Sequence, residues 1–341
     1  MKFYEITIRP TSGFGTPLKG DTLFGHFCWQ AAYFPELIEG GLDRGISLYS
    51  ERPFAVFSSL FPKTEKGAVN YMLKRPDIPL SRLFPLSEET CESRYANIKE
   101  YKKKKWMLLK GDLKINIDSS LFLNDGEIFK ELADYYGMSD KNMEESGAPS
   151  TTACFSQPHN TINRLTQTTG TGDFAPYVKD NIYYYPGTKL ALFVLIDEGL
   201  TSIEKVEKGI KNIGRFGFGR DATTGMGRFD VVRSVEIEMP DEQDVNACYC
   251  LAPCVPEKGE LERAYFTPFI RFGKHGDRLA VGKNPFKTPV VMADEGAVLI
   301  PKERDAFKKP YIGRAITDVS KIQPGCMIQG FSPYLPFKLE N

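Results

Sequence analysis

The stretch from residue 201 to residue 237 constrains the fold most, because it predicts a helix, a glycine-rich loop and a strand in succession. Thr201 and Glu204 have the spacing of a capping box, and apolar residues then recur at helical spacing. Gly214 is a residue that can close this helix with a positive φ. From residue 229 onward, apolar and polar residues alternate, which predicts a strand after the loop.

The order of these elements excludes two common functions of glycine loops. A P-loop or a dinucleotide-binding loop follows a strand and precedes a helix, which places phosphate on the helix N-terminus. Here the helix comes first and the strand last. Two interpretations remain: a backbone that approaches an anion closely and holds it with N–H groups, or a long flexible connection. Arg215, Arg220 and Arg228 would hold phosphate in the first interpretation and be merely solvated in the second.

Composition limits the function classes. The chain has 341 residues, which exceeds the usual size of one core and predicts two domains. Its formal net charge is +0, so a polyanion would have to bind a local basic patch. The apolar run at residues 190–196 is too short to span a bilayer, and the N-terminal residues do not resemble a signal peptide. Seven cysteines without framework spacing are typical of a reducing compartment. We therefore expect a cytoplasmic protein without membrane association.

The order of predicted elements indicates an α+β fold. A half-buried first strand at residues 4–8, with one face in the core, precedes a helix that ends before Pro35. Residues 54–57 form a second strand. The fully apolar strand at residues 189–196 and the region up to residue 237 repeat this βαβ order. Two such halves make a ferredoxin-like βαββαβ sandwich, here with a large insertion at about residues 60–186.

The insertion carries two further candidate features. Lys102 to Lys105 form the strongest basic run, which is either a solvated face or, with Tyr101 and Trp106 as stacking rings, a nucleic-acid contact. Residues 157–172 are polar and rich in glycine, which indicates a mobile hairpin tip or a segment that is disordered without a partner.

The catalytic and metal-binding inventory is small. Past residue 240 the sequence predicts a second, β-rich unit, in which Cys248, Cys250 and Cys254 lie close together. No further cysteine pair or histidine completes a tetrahedral site, so we interpret them as small core residues and expect no metal and no cofactor. His26 is either a structural histidine or, facing a groove, a general base near neutral pH. No motif commits the chain to an enzyme class.

Several segments together resemble the RAMP superfamily of CRISPR proteins. The segments are residues 20–29, 61–63 with 74–76, 159–164, and the loop 217–227 with Arg228 and Phe229. Within that superfamily the chain is most similar to the group formed by the fourth subunits of type III-A Csm effector complexes, and residues 284–287, 296–299 and 311–313 fit as well. The match is weakest across about residues 100–150.

The resemblance implies a fold and a function. It implies two ferredoxin-like (RRM-like) domains at residues 1–240 and 241–341, with a thumb-like hairpin at about residues 157–185 and the glycine-rich loop at residues 214–228. It also implies a non-catalytic subunit that binds the repeat-derived 5′ handle of the CRISPR RNA. Outside the complex, this subunit is not expected to bind DNA. Such a subunit caps the complex between the large signalling and nuclease subunit and the first backbone subunit.

The expected RNA-binding residues come from the loop, the hairpin and the region that faces the handle. They are Lys19, His26, His159, Asn160, Arg164, Arg215, Gly217, Phe218, Gly219, Arg220, Gly225, Gly227 and Arg228.

Two alternatives to a non-catalytic RNA scaffold stay open at this point. One is a related endoribonuclease that cleaves precursor CRISPR RNA with His26 as general base and a lysine that stabilises charge. The other is a structural subunit whose glycine loop packs against protein and does not touch RNA.

Overall fold

A computed structural model describes residues 1–65, 67–84, 91–117, 121–136, 151–240 and 244–340. Within these residues the α-helices are α1 Gly20–Tyr33, α2 Gly41–Leu48, α3 Leu80–Leu83, α4 Cys91–Lys103, α5 Asp125–Tyr136 and α6 Ile203–Phe216. The first nine strands are β1 Lys2–Pro10, β2 Ala55–Thr64, β3 Asn70–Lys74, β4 Trp106–Lys110, β5 Leu121–Leu123, β6 Thr152–His159, β7 Tyr177–Tyr184, β8 Lys189–Ile196 and β9 Phe229–Glu236. The remaining strands are β10 Ala247–Cys250, β11 Leu261–Tyr265, β12 Pro268–Arg271, β13 Val290–Ala293, β14 Val298–Pro301, β15 Tyr311–Gly313 and β16 Phe331–Phe337.

Two sheets and two hairpins organise these strands, which confirms the predicted α+β class. The larger sheet has the order β5-β4-β3-β2-β8-β1-β9, and the smaller has the order β11-β14-β10-β16-β15. Strands β6 and β7 form one separate hairpin, and β12 and β13 form the other. Helix α1 packs on β2 and on α6, and α6 packs on β9, so the two helices contact each other and two strands that β8 and β1 separate in the larger sheet.

The centre of the larger sheet confirms one prediction and corrects another. Strand β8 is buried along nearly its whole length, as its continuous apolar sequence indicates. Strand β1 is buried on both faces rather than on one. Glu5 accepts hydrogen bonds from Lys63 Nζ at 2.6 Å and Tyr71 Oη at 2.6 Å, and Thr7 Oγ1 donates to it at 2.7 Å. The polar face is buried because its side chains bond one another.

The two ends of α6 differ from their predicted positions. Ser202 caps the helix by accepting the N–H of Lys205, whereas the hydroxyl of Thr201 donates to the carbonyl of Leu37 and is buried. The helix continues past Gly214 to Phe216, and Gly217 ends it with φ of 104°. Gly214 is required for another reason: a Cβ there would lie 2.2 Å from the carbonyl oxygen of Phe229. The glycine lets β9 cross the helix closely.

A second βαββαβ unit is not confirmed. Among described residues 244–340 the helices are two five-residue 3-10 helices, Asp277–Val281 and Arg304–Lys308. The connections between strands are rich in glycine and proline and lack an apolar period of helical length, so the unit is built from strands. Part of its apolar residues, including Tyr249 and Leu335, belong to one core with those of β8. The boundary at residue 240 stays a prediction.

The cysteine cluster is buried, and the aromatic rings beside the lysine run have partners within the protein. Cys248, Cys250 and Cys254 are buried in an apolar cluster, in agreement with core residues, and the Sγ atoms of Cys250 and Cys254 are 3.8 Å apart. Beside the lysine run, Tyr101 stacks on Phe84 with ring centroids 4.2 Å apart. The indole N–H of Trp106 donates to Asp125 at 2.7 Å. Both rings of the proposed stacking pair therefore have partners within the protein.

None of the helices in the described ranges is long and apolar enough to cross a bilayer.

Candidate nucleic-acid interface

The glycine-rich loop has a backbone that depends on residues without a Cβ. Gly217, Gly219, Gly225 and Gly227 all have positive φ, between 73° and 104°. At Gly227 a Cβ would lie 2.1 Å from the carbonyl oxygen of Phe218, and at Gly219 it would lie 2.5 Å from the side chain of Thr16. At Gly225 a Cβ would meet no atom within 4 Å. The loop is folded tightly at its base and open at residue 225.

Phe218 and His26 anchor the base of this loop. The side chain of Phe218 is fully buried, and its N–H donates to the carbonyl of Gly227 at 2.9 Å. The His26 ring lies 4.8 Å from the Phe218 ring, and its Nε2 accepts the N–H of Gly219 at 3.0 Å. Burial lowers the pKa of His26 from 6.5 to about 4, so the ring is neutral and able to accept this bond at neutral pH.

Arg220 connects the loop to the middle of β7 in the β6–β7 hairpin. Its N–H donates to Thr16 Oγ1 at 2.9 Å. Its Nη2 donates to the carbonyl of Asp180 at 2.5 Å and to Asn181 Oδ1 at 3.3 Å, both on β7. Lys179, also on β7, pairs with Asp221 in the loop at 2.8 Å. The glycine loop and the hairpin therefore form one connected surface.

The expectation of an anion nest in the loop backbone is wrong for most of the loop. The N–H groups of residues 217–220 and 224–228 all donate to groups within the protein. Since a backbone N–H that is already bonded is not available to a phosphate, side chains must supply most of any anion contact.

The β6–β7 hairpin projects with most of its side chains exposed. Strand β6 begins at Thr152 and pairs with β7, and residues 160–176 join the two strands. His159, the last residue of β6, stacks on Tyr177 of β7 with ring centroids 5.4 Å apart. Asn160 and Arg164 are exposed in the tip that joins the strands.

The remaining basic candidates have different environments. Arg215 and Arg228 are exposed beside the loop, and Arg228 Nη1 donates to the carbonyl of Arg215 at 3.0 Å. Lys19 is mostly buried and points toward the C-terminal unit. Its Nζ lies 2.5 Å from Asp294 Oδ1 and 2.7 Å from Glu295 Oε2, so two carboxylates balance its charge.

Sequence reasoning missed four residues of this surface. Ser12 and Thr16 accept N–H groups of Arg228 and Arg220, and Lys179 pairs with the loop. Phe216 is 58% exposed at the end of α6, where it offers a ring between Arg215 and the first glycine. The only sequence signal was the Arg-Phe-Gly tripeptide at the start of the loop.

Within the described residues, no group of three or more His, Cys, Asp or Glu side chains is arranged to hold a metal ion.

Comparison with solved structures identifies the fold. A chain in the crystal structure of a Csm3-Csm4 subcomplex of the type III-A CRISPR-Cas interference complex superposes with a TM-score of 0.58 and 18% identity, over 99% of this chain and 100% of that one. A chain in a crystal structure of a Csm1-Csm4 cassette in complex with pppApA superposes with a TM-score of 0.53 and 15% identity, over 100% of both chains. The component that both structures share is Csm4. The chain has a Csm4-like fold.

Sequence comparison adds no closer relative. No family model and no curated protein matches the chain. The Csm4-like fold agrees with the resemblance predicted from the sequence, and it extends across the whole chain.

The first prediction concerns the close packing of the loop. Replacing Gly225 by Ala costs about 1–2 kcal/mol of stability, because an L residue is strained in this backbone conformation. Gly227→Ala shares that strain and adds a contact with the Phe218 carbonyl, so we expect a further loss of about 1–3 kcal/mol. Urea unfolding of both variants measures the difference. Equal destabilisation would contradict the packing described here.

The second prediction concerns the pH dependence of stability. Between about pH 6.5 and pH 4 the unfolded chain protonates His26 and the folded chain does not. The stability from neutral His26 is therefore complete above pH 6.5 and is lost as the pH falls toward 4, by at most about 1.4 kcal/mol per pH unit.

His26→Gln keeps an acceptor for Gly219 and removes the titration. The unfolding free energy of this variant should fall less than that of the wild type between pH 6.5 and pH 4.5. Parallel curves for the two proteins would show that His26 does not titrate as described.

Proposed function

We propose that this chain is a non-catalytic CRISPR RNA-binding subunit of a type III-A (Csm) effector complex. It binds the repeat-derived 5′ handle of the CRISPR RNA and caps the complex between the large signalling subunit and the backbone subunits, in the cytoplasm. The observation that carries the proposal is the connection through Arg220, which makes the glycine loop and the projecting hairpin a single surface.

The fold supports the proposal. Likeness over the full chain to structures that contain Csm4 is what a Csm4-type subunit would have. We also assign a ferredoxin-like architecture to the first unit, because the order β2-β8-β1-β9, with α1 after β1 and α6 after β8, is that of a βαββαβ sandwich. Partners of the Csm1 and Csm3 type are proposed from the composition of those solved assemblies.

The chemistry of the surface supports RNA as the ligand. Arg164 on the hairpin tip and Arg215 beside the loop are exposed, and neither has a side-chain partner among the described residues. Exposed guanidinium groups hold phosphates, which position a strand without reading its sequence. Phe216 beside Arg215 supplies a ring on which an unpaired base can stack. The contacts of Arg220 and Asp221 with β7 bring the loop and the hairpin into one surface on which these groups lie.

The position of His26 favours a binding role over cleavage. A general base must accept a proton from the attacking hydroxyl, but the Nε2 lone pair already accepts the N–H of Gly219. With a pKa of about 4, the ring also has little tendency to take up a proton at neutral pH. We therefore assign His26 to the support of the loop.

One reaction distinguishes binding from cleavage. The purified chain is mixed without metal with labelled repeat RNA that carries the handle, and is divided between native and denaturing gels. We expect a shifted band in the native gel and intact RNA in the denaturing gel. Cleavage that is lost in His26→Ala would replace the proposal with an endoribonuclease.

The third prediction identifies the phosphate contacts. Arg164→Ala and Arg215→Ala should each lower the slope of log affinity against log salt concentration by about 0.7, the value for one lost phosphate contact on single-stranded RNA. Arg304→Ala is the control, because Arg304 is exposed in the C-terminal unit and pairs with Asp244. Slopes equal to that of the wild type in all three variants would remove both arginines from the interface.

A further inference from the structure

The β12–β13 hairpin extends beyond its two strands and forms an arm. The N–H of Lys287 donates to the carbonyl of Gly273 at 2.8 Å, and the N–H of His275 donates to the carbonyl of Pro285 at 2.8 Å. Lys274 and Phe286 form an antiparallel bridge between these bonds. We call residues 268–293 the β12–β13 arm.

The inner face of the arm packs on the rest of the protein. Arg271 pairs with both oxygens of Asp21 on α1, at 2.5 and 2.7 Å. Phe269 lies beneath the Lys19 ammonium, whose Nζ is 4.7 Å from the ring centroid, and Met292 is buried. The arm is thereby held in a fixed orientation, which also fixes what its other face presents.

The outer face of the arm is apolar and uncovered. Ile270 and Val291 are opposite one another in the ladder and are 50% and 61% exposed. Phe272 and Phe286, farther along the arm, are 69% and 67% exposed. Four large apolar side chains on one two-stranded surface form a patch of the kind that marks an interaction site.

The charge around this face is positive, although the whole chain is neutral. Residues 272–289 contain Lys274, Arg278, Lys283 and Lys287, with Asp277 as the only acidic residue. Arg278 and Lys287 also line the pocket between the arm and α1, so Lys274 and Lys283 supply the charge of the outer rim. Such a rim attracts an acidic partner. It also disfavours a second copy of this chain, because a two-fold interface would bring the same positive charges together.

The side chains at the centre distinguish a protein partner from RNA. Ile270 and Val291 are aliphatic and offer no ring to a base, so of the four exposed side chains only Phe272 presents an uncovered ring. The ring of Phe286 has the Lys274 ammonium above it, with Nζ 5.9 Å from the centroid, so a base would have to displace this lysine. Mixed aliphatic and aromatic residues with a polar rim are typical of protein interfaces.

We infer that the outer face of the β12–β13 arm docks a partner protein through an acidic segment with large apolar side chains. The apolar residues of that segment cover Ile270, Phe272, Phe286 and Val291, and its carboxylates face the lysines of the rim. The identity of the partner rests on the proposed function, which supplies two expected co-subunits of the Csm1 and Csm3 type.

The fourth prediction uses the full chain and each purified co-subunit. Phe272→Ser/Phe286→Ser should weaken the binding of one co-subunit at least about tenfold, the effect of losing an apolar anchor at an interface. Lys274→Glu/Lys283→Glu should weaken the binding of the same co-subunit. Val232→Ser/Val235→Ser, on the exposed side of β9, is the matched control and should bind like the wild type. Circular dichroism and thermal unfolding verify that each variant is folded.

Other outcomes would overturn the inference. Unchanged affinity of the arm variants for both co-subunits, or a wild type that binds neither, would exclude a protein-docking face. Loss of repeat-RNA binding alone would assign the arm to RNA, and loss of self-association in sedimentation experiments would assign it to a second copy. RNA binding by the wild type is measured in parallel, so failure of the docking inference is distinguished from failure of the proposed function.

Discussion

The hydrogen bond from the Gly219 N–H to His26 Nε2 joins two elements that are far apart in the chain, and the candidate interface depends on it. It holds the loop that follows α6 against α1, with the buried Phe218 ring beside the imidazole. Because burial keeps His26 neutral, the acceptor is present throughout the neutral pH range. The surrounding glycines permit this contact, since side chains at Gly219 and Gly227 would occupy space already filled.

With its base fixed, the loop can position groups outside the core. Arg220 extends the connection to β7, so that the exposed hairpin tip and the exposed arginines beside the loop belong to one surface. Arg220 therefore has a role different from the one its spacing indicates. Its guanidinium is partly used in bonds to the hairpin. Arg164, whose guanidinium has no side-chain partner in the part of the chain that the structure describes, is better placed to meet phosphate.

Much of the fold could be predicted from the sequence, because the spacing of apolar residues along the chain indicates which side chains are buried. The apolar run of β8, the alternation of β9 and the helical period of α6 all correspond to the observed elements. The limits of α6 could not be placed from the sequence: Thr201 and Gly214 fit the local rules for a cap and a helix end, but both serve tertiary contacts, with Leu37 and Phe229.

The site was predicted less completely than the fold, because contacts between distant segments decide its geometry as they decide the limits of α6. Local spacing identified the glycine loop, but hydrogen bonds between distant segments decide which of its N–H groups are free. Thr16, Ser12 and His26 take up several of them, and no local pattern reveals those pairings. Lys19 likewise fits a basic site in sequence, yet Asp294 and Glu295 neutralise it from residues 275 and 276 positions away.

The central claim is that the loop and the hairpin hold the RNA together. Photo-crosslinking tests it most directly, with repeat RNA that contains 4-thiouridine within the handle and mass spectrometry of the joined peptides. The account predicts crosslinks in residues 160–176 of the hairpin tip and in residues 215–228 of the loop. Crosslinks confined to other segments, such as the lysine run at residues 102–105, would contradict it.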